Sequence, residues 1–315
     1  MNIWRDLADV SRVREGRVVA IGAFDGVHLG HQAVLRLVRD LARARGLTST
    51  VLTFDKHPAE VVRPESAPRL LTSLEQKLEL LDATETVDDC VVLTFDEARS
   101  KETAETFVAE VLSAALQARL VVVGADFHFG FRRHGDVPLL QRMGAELGFE
   151  VLGLGLVAAD HAENAEPYSS TRVRTLLGIG DIQHANAILG RPHEVRGEVT
   201  PGDQRGRELG FPTANVAVPE RICLPSDGVF AGTFIGEDDV ERIAAISLGR
   251  RPTFYEESGL RLLEAYVLDF EGDLYGQRVK VRFNHRLRGQ ERFASVEELV
   301  AEIERDVEQT RRLMG

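Results

Sequence analysis

Between residues 17 and 147 the chain alternates two kinds of segment, and this alternation restricts its fold more than any other feature. Short β-branched runs occupy 17–22, 49–54, 89–94 and 120–124, each bounded by Gly, Asp or charged residues. Residues 32–45, 74–83, 104–118 and 139–147 carry apolar side chains at intervals of three and four, the spacing of an amphipathic helix. Runs that are apolar throughout read as strands buried on both faces, and parallel strands need crossovers of helical length. The expectation is an α/β domain with a doubly wound, Rossmann-like parallel sheet. Ligands of such sheets sit beyond the carboxyl ends of the strands, so chemistry is expected just after Ile21, Phe54 and Val123.

The alternation stops near residue 190. Helical patterns over 172–177 and 182–189 end at Gly190-Arg191-Pro192, where Gly accepts a left-handed cap and Pro prevents continuation. A domain seam is placed there, with residues 1–187 on one side and 188–315 on the other. Beyond it come strand patterns at 194–199, 228–235, 242–248, 262–270 and 278–285, which suggest a small antiparallel β-barrel. Val296, Leu299, Val300, Ile303 and Val307 form one apolar stripe, reading as a terminal helix packed on that barrel. Against 38 Lys and Arg stand 50 Asp and Glu, a formal charge of −12, which disfavours nucleic acid as the main partner. Cys90 and Cys223 lack ligand-like spacing, so neither a disulfide framework nor a zinc site is expected. With no apolar stretch long enough to span a bilayer and no signal-like start, a cytoplasmic protein without a membrane partner is expected.

The strongest local pattern is Gly22-Ala23-Phe24-Asp25-Gly26-Val27-His28-Leu29-Gly30-His31, which follows a strand and opens a helix. Its glycines let backbone N–H groups approach an anion, and the helix start adds a favourable dipole, so phosphate belongs here. His28 and His31 lie three apart on one helical face and can offer imidazole N–H groups to the same phosphoryl group. As metal ligands they form an incomplete set, with no Cys or carboxylate at ligand spacing. Residues 53–58 bring Lys56 and His57 to the same edge of the sheet. Residues 124–131 add Asp126, Phe127, His128 and Phe129, which suit a planar ring with a polar edge and equally suit a buried aromatic corner. Ser169, Ser170, Thr171 and Arg172 open a helix, able to cap it or to hold a polyphosphate.

In the second half, residues 202–215 hold three Gly and two Arg followed by Thr213 and Asn215, which project to one side of an extended segment. Their oxygens suit one Mg²⁺ ion and its attached phosphates, although no Gly-Lys-Ser/Thr marks a P-loop and an ordinary Gly-rich hairpin fits the composition. Alternation across 262–268 places Glu264 on the face of Leu262, Tyr266 and Leu268, where a buried carboxylate is costly unless it serves as a general base. A wet face is the even alternative.

His28-Leu29-Gly30-His31 is similar to the His-x-Gly-His signature of the nucleotidyltransferase superfamily. With residues 53–58, 123–130 and 169–174 in matching order and spacing, the first half resembles the FAD synthetase half of the prokaryotic bifunctional riboflavin kinase/FAD synthetase family. Residues 206–215, 224–232, 249–254, 264–275 and 288–293 resemble its riboflavin kinase module, so the likeness covers nearly the whole chain. The resemblance implies an N-terminal nucleotidyltransferase domain that makes FAD and pyrophosphate from FMN and ATP. It also implies a C-terminal six-stranded kinase barrel that makes FMN from riboflavin and ATP with Mg²⁺. By the same resemblance His28 and His31 are catalytic, and Gly22, Phe24, Asp25, Gly30, Ser169, Ser170, Thr171 and Arg172 bind ATP and its phosphates. Phe54, His57, Asp126 and Phe127 fall to FMN. The kinase's ATP falls to Gly202, Arg205, Gly206, Gly210, Pro212, Thr213 and Asn215, with Thr213 and Asn215 on the metal, and Glu264 activates the ribityl 5′-hydroxyl.

Four positions depart from the family: Lys56 stands for a usual Pro, Phe230 for Tyr, Ser247 for Asn and Gln290 for Glu. One rival reading is a nucleotidyltransferase for a phosphopantetheine or pyridine nucleotide, its barrel a flavin sensor; the full set of kinase-like motifs speaks against it. Another is a non-catalytic flavin carrier, which binding without turnover would reveal. Small-molecule substrates are the expected partners. The pattern leaves the oligomeric state and the choice of ATP over CTP at the first site open.

Overall fold

Six strands line up in one parallel sheet in the computed structural model, which describes residues 1–10, 15–155, 167–202, 206, 209–250 and 261–315. They are β1 (Asn2–Trp4), β2 (Arg17–Ile21), β3 (Thr48–Phe54), β4 (Asp89–Leu93), β5 (Ala118–Gly124) and β6 (Glu150–Leu154), in the order β1-β4-β3-β2-β5-β6. Every pairing is parallel. The helices are α1 (Leu29–Arg45), α2 (Pro58–Val62), α3 (Leu74–Asp82), α4 (Glu97–Ser100), α5 (Ala104–Thr106), which continues as a π-helical stretch Phe107–Ala115, and α6 (Val137–Leu147). Strand residues of opposite parity feed two cores. Val18 and Ala20 of β2 pack with Leu35 and Val38 of α1 and with Leu78 and Leu81 of α3. Val19 and Ile21 pack with Phe107, Val111 and Leu112 of the π-helical stretch and with Leu140 of α6. The sheet is thus covered on both faces, as the uninterrupted apolar runs require. From β2 the chain builds β3 and β4 on one side and then returns to place β5 on the other. The strand order therefore reverses between β2 and β5, which locates the ligand crevice at their carboxyl ends.

Six further strands, β7 (His193–Thr200), β8 (Thr213–Ala217), β9 (Gly228–Ile235), β10 (Glu241–Arg250), β11 (Arg261–Val267) and β12 (Arg278–Arg288), close into an antiparallel barrel in the order β10-β11-β8-β7-β12-β9. Closure removes the unpaired strand edges. Phe230, Phe234 and Phe283 fill the interior, with Phe230 edge-on to Phe283 at 5.2 Å. Two short helices, α7 (Ser170–Ile179) and α8 (Ile182–Leu189), precede the barrel, and α9 (Val296–Met314) follows it. Gly190 takes the expected left-handed cap at φ 72°, but the break it makes lies inside a packed unit. Asn186 of α8 donates to the Phe283 carbonyl and accepts from the His193 N–H, both at 2.8 Å. Contacts accordingly divide the chain into Met1–Ser169 and Ser170–Gly315.

One expectation about the barrel changes, and another, the helix packed on it, holds with a different seat. On β11 the core-facing residues are Leu263, Ala265 and Val267, while Leu262, Glu264 and Tyr266 are half-exposed on the outer face. Glu264 therefore does not owe its interest to burial, and the wet alternative is the correct one. On α9 the apolar stripe is only partly covered, with Val296 56% exposed, and the most deeply buried side chains are Asp306 and Thr310. Asp306 accepts from Arg288 at 2.7 Å, so a charge-assisted bond at the end of β12 helps to seat the helix.

Candidate active sites

The loop leaving β2 reaches the crevice and starts α1. His28 is the N-cap of that helix: its Nδ1 accepts from the His31 N–H at 3.3 Å. A ring nitrogen that accepts carries no proton, so the neutral His28 ring bears its proton on Nε2 and is a donor there. The two rings stack at 3.6 Å between centroids, and Phe24 lies 5.1 Å from His31. Gly30 fits closely beside this stack, since a Cβ there would stand 3.1 Å from the His28 ring and 3.0 Å from Tyr168. Burial, with the neighbouring His28 and Lys77, pushes the His31 pKa well down, so His31 is neutral. Its Nδ1 is buried with no hydrogen-bond partner among the described residues. The arrangement can stabilise charge on phosphorus through neutral N–H donors aimed from a helix start.

His57 repeats the device one strand over. It caps α2, its Nδ1 accepting from the Ala59 N–H at 3.2 Å while its own backbone N–H donates to Glu60 at 2.9 Å. Phe54 ends β3 against Phe95, edge to face at 5.4 Å. Lys56, which lacks the ring constraint of proline, gains a backbone donor, and that N–H meets Asp55 Oδ1 at 2.7 Å. The same oxygen accepts from the Phe95 N–H at 2.8 Å, so hydrogen bonds hold the turn instead of a fixed φ. After β5, Asp126 is exposed and Phe127 half-exposed, stacked at 5.3 Å on the buried Phe129. Phe129 is the buried aromatic corner, and Phe127 packs against that core with part of its ring left open just beyond β5.

Gly22 and Phe24 stay with the histidine loop, but Asp25, expected to face phosphate, is buried and does something else. Its carboxylate accepts from the N–H groups of Leu71 and Thr72 and from the Thr72 hydroxyl, at 3.0–3.2 Å. It clamps the loop before α3, and such a carboxylate would repel phosphate. The sequence reading also missed Lys77. Its ammonium donates to Phe54 O at 2.7 Å, Thr53 Oγ1 at 3.1 Å and Ala23 O at 3.2 Å. A charge at 77 in the stripe Leu74, Leu78, Leu81 was the available signal. Ser169 ends the first unit, while Ser170, Thr171 and Arg172 begin α7 in the second.

In the barrel the register settles which residues share a face. Asn215 is paired with Glu264 and Thr200, Glu264 with Ser247, and Thr213 with Tyr266. Paired residues point the same way, so one row on the outer face carries Thr200, Asn215, Glu264 and Ser247. Two family departures meet at its end, where Gln290 Nε2 donates to Ser247 Oγ at 3.2 Å. The third, Phe230, sits in the core, where a phenol would need a buried partner. Asn215 Oδ1 is buried without a hydrogen-bond partner among the described residues. A Cβ at Gly202 would come within 2.1 Å of Asn215 Nδ2, so glycine there leaves the amide in place. Before β8 the Gly206 carbonyl accepts from the Phe211 N–H at 2.7 Å, Gly210 has φ 87° and Pro212 is exposed. Arg205 and residues 251–254 lie outside the described residues.

Comparison with known proteins assigns each half. The family model for FAD synthetase matches residues 10–172, and that for riboflavin kinase matches 189–314. The bifunctional riboflavin kinase/FMN adenylyltransferase of Escherichia coli K12 is 36% identical over 317 residues, covering 100% of this chain and 98% of the relative. The protein of the same description from Pseudomonas fluorescens is 37% identical over 313 residues, covering 99% and 98%. A solved Streptococcus pneumoniae chain, described as a macrolide-efflux protein, superposes with a TM-score of 0.84 at 29% identity and covers 98% of both chains. Among the described residues no helix is long and apolar enough to cross a membrane.

Proposed function

The chain belongs to the bifunctional riboflavin kinase/FMN adenylyltransferase family, and on that premise we propose which of its residues carry each reaction. Its N-terminal FAD synthetase domain adenylylates FMN with ATP, giving FAD and pyrophosphate, and its C-terminal domain phosphorylates riboflavin with ATP to FMN.

In adenylyl transfer an FMN phosphate oxygen attacks the α-phosphorus of ATP. One P–O bond forms, the bond to the bridging oxygen breaks, and pyrophosphate leaves. The nucleophile is already anionic, so no base is needed and the barrier rests on charge gathering at the α-phosphoryl oxygens. His28 meets that charge with its Nε2–H, which the cap at Nδ1 keeps in place. His31, neutral and stacked on it, is the second imidazole of the pair. Gly22, Phe24 and Gly30 shape this loop, and Ser169, Ser170, Thr171 and Arg172 are assigned to the polyphosphate on resemblance alone. Phe54, His57, Asp126 and Phe127 receive the flavin substrate. The single observation that carries this reading is the stacked His28–His31 pair at the reversal of strand order.

In the kinase the ribityl 5′-hydroxyl attacks the γ-phosphorus, its proton passes to Glu264, and ADP leaves. Glu264 suits the role because it is half-exposed and stands across from Asn215. Thr213 and Asn215 are the residues that would hold Mg²⁺. Their oxygens are the hard donors this ion takes, and Asn215 Oδ1 is a buried acceptor still lacking a donor among the described residues. When bound, Mg²⁺ supplies neutralisation of triphosphate charge. Gly202, Gly206, Gly210 and Pro212 shape the loop that carries ATP, and Arg205 is kept there on resemblance. Both cysteines are buried free thiols, in keeping with a reducing cytoplasm.

The test is incubation of the chain with riboflavin, ATP and Mg²⁺ and chromatographic separation of the three flavins. His28→Ala is expected to stop FAD formation and spare FMN formation, and Glu264→Ala to do the reverse when FMN is supplied. Loss of both activities in either folded variant would sink the two-site assignment.

A further inference from the structure

Lys77 is 8% exposed and sits in the apolar stripe of α3, a costly place for a charge. Its three N–H bonds go to Phe54 O, Thr53 Oγ1 and Ala23 O, and Thr53 Oγ1 in turn donates to Ala23 O at 3.2 Å. Ala23 lies just beyond β2 and Phe54 ends β3. At this end of the strands the Gly22 N–H still reaches Leu52 O at 3.1 Å, and one residue later the Lys77 ammonium joins the two chains. From there one chain runs on to His28 and the other to His57. Burial pushes the ammonium's pKa down, while Asp25, Cys90, Asp55 and Glu60 act to raise it. Lys77, Asp25, Asp55, His57 and Thr72 also border a cavity of about 20 Å³, room for one water and no more.

We propose that Lys77 is a positioning residue for adenylyl transfer: its ammonium sets the spacing between the His28 loop and the His57 loop, and through them between ATP and FMN. This rests on the reading that His28 serves ATP and His57 serves FMN. Lys77 has no need to touch either substrate. A neutral replacement takes the ammonium away from three oxygens, Ala23 O keeping the Thr53 hydroxyl as a donor, and lets the two loops drift. Each substrate still binds, but the attacking and receiving atoms meet less often in line.

The experiment uses the full chain with Lys77→Met, which keeps the length of the side chain, and Thr53→Val, which removes one of the three acceptors at constant volume. In Lys77→Met, kcat for FAD formation should fall about 100-fold, the scale of a 1 Å misplacement. The Kd values for FMN alone and for ATP alone should stay within about threefold of wild type, because the loss is one of alignment and not of contact. Thr53→Val should show the same split, smaller in size. Imidazole NMR signals of His28 and His57 should both move in ligand-free Lys77→Met, which a lysine that only adds stability would not cause. Riboflavin phosphorylation on the same chain should be unchanged. A kcat within threefold of wild type in folded Lys77→Met overturns the proposal. So does weakened FMN or ATP binding with kcat intact, which would make Lys77 a binding charge. If Lys77→Met does not fold, Thr53→Val decides alone, an unchanged kcat counting against the proposal. If His28→Asn and His57→Ala both leave FAD formation intact, the underlying reading fails instead, whatever Lys77 does.

Discussion

Replacing His28 removes two things at once, and the structure lets them be separated. The ring's Nδ1 caps α1, and the ring's Nε2–H is the proposed donor to the α-phosphoryl group. His28→Ala loses both, whereas His28→Asn keeps an acceptor at the cap, since Asn is among the best N-cap residues. Loss of the cap costs about 1 kcal/mol, which for a unit of this size lowers the melting temperature by roughly 2–4 °C. Loss of a preorganised donor costs ~10²- to 10³-fold in kcat, equivalent to ~3–4 kcal/mol in the barrier. Capping alone therefore does not reach the catalytic effect. Thermal unfolding and FAD formation from FMN and ATP should diverge: His28→Ala loses both stability and rate, while His28→Asn unfolds close to wild type and is as slow as His28→Ala. Riboflavin phosphorylation on the same chain serves as the control. If His28→Asn makes FAD within about threefold of the wild-type rate, the imidazole is a helix cap and the donor argument is refuted.

Glu264→Gln should lower riboflavin phosphorylation by ~10²- to 10⁴-fold, the usual weight of a general base, and leave FAD formation from FMN intact; a kinase that stays active would remove Glu264 from the mechanism. Gly202→Ala should displace the Asn215 amide, because the new Cβ would sit 2.1 Å from Nδ2, and so raise the Mg²⁺ concentration for half-maximal kinase activity; an unchanged Mg²⁺ titration would count against Asn215 as a ligand. For His31 the sign follows from its lowered pKa. The unfolded chain takes up a proton at this residue near pH 6.5 and the folded chain does not, so acidification below about pH 6.5 favours unfolding. Melting temperatures measured from pH 7.5 to 5.5 should fall less steeply in His31→Gln than in wild type, and identical slopes would show that His31 is not the group responsible.

Much of the fold was legible because its signals are local. Runs such as 18–21 and 120–123 are apolar at every position, as a sheet covered on both faces requires. β8 was harder to see, since Thr213, Asn215 and the outer half of the barrel alternate polar with apolar residues and the strand exists mainly because Glu264 and Thr200 pair with it. The histidines were found from their spacing, but their role as caps was not, because imidazole so seldom replaces Ser or Asp at a helix start. Burial of charge was the right principle applied at the wrong residue. Period two on β11 was correct, yet Glu264 shares its face with half-exposed neighbours; period three and four on α3 would have flagged Lys77, whose burial is real. Asp25 lay inside a phosphate-like motif, and only the return of Leu71 and Thr72 to its carboxylate, from far along the chain, reveals a clamp.

At His28 and His57 the bolt of a helix and the proposed working end of the site are two nitrogens of one ring. When the first turn of α1 or α2 opens, Nδ1 loses its donor and the ring is free to rotate, shift its proton or take up another. Helix starts open far more often than sheets dissolve. On warming, FAD formation should therefore decay in step with amide exchange at His31 and Ala59, at temperatures where the sheet behind them is still whole.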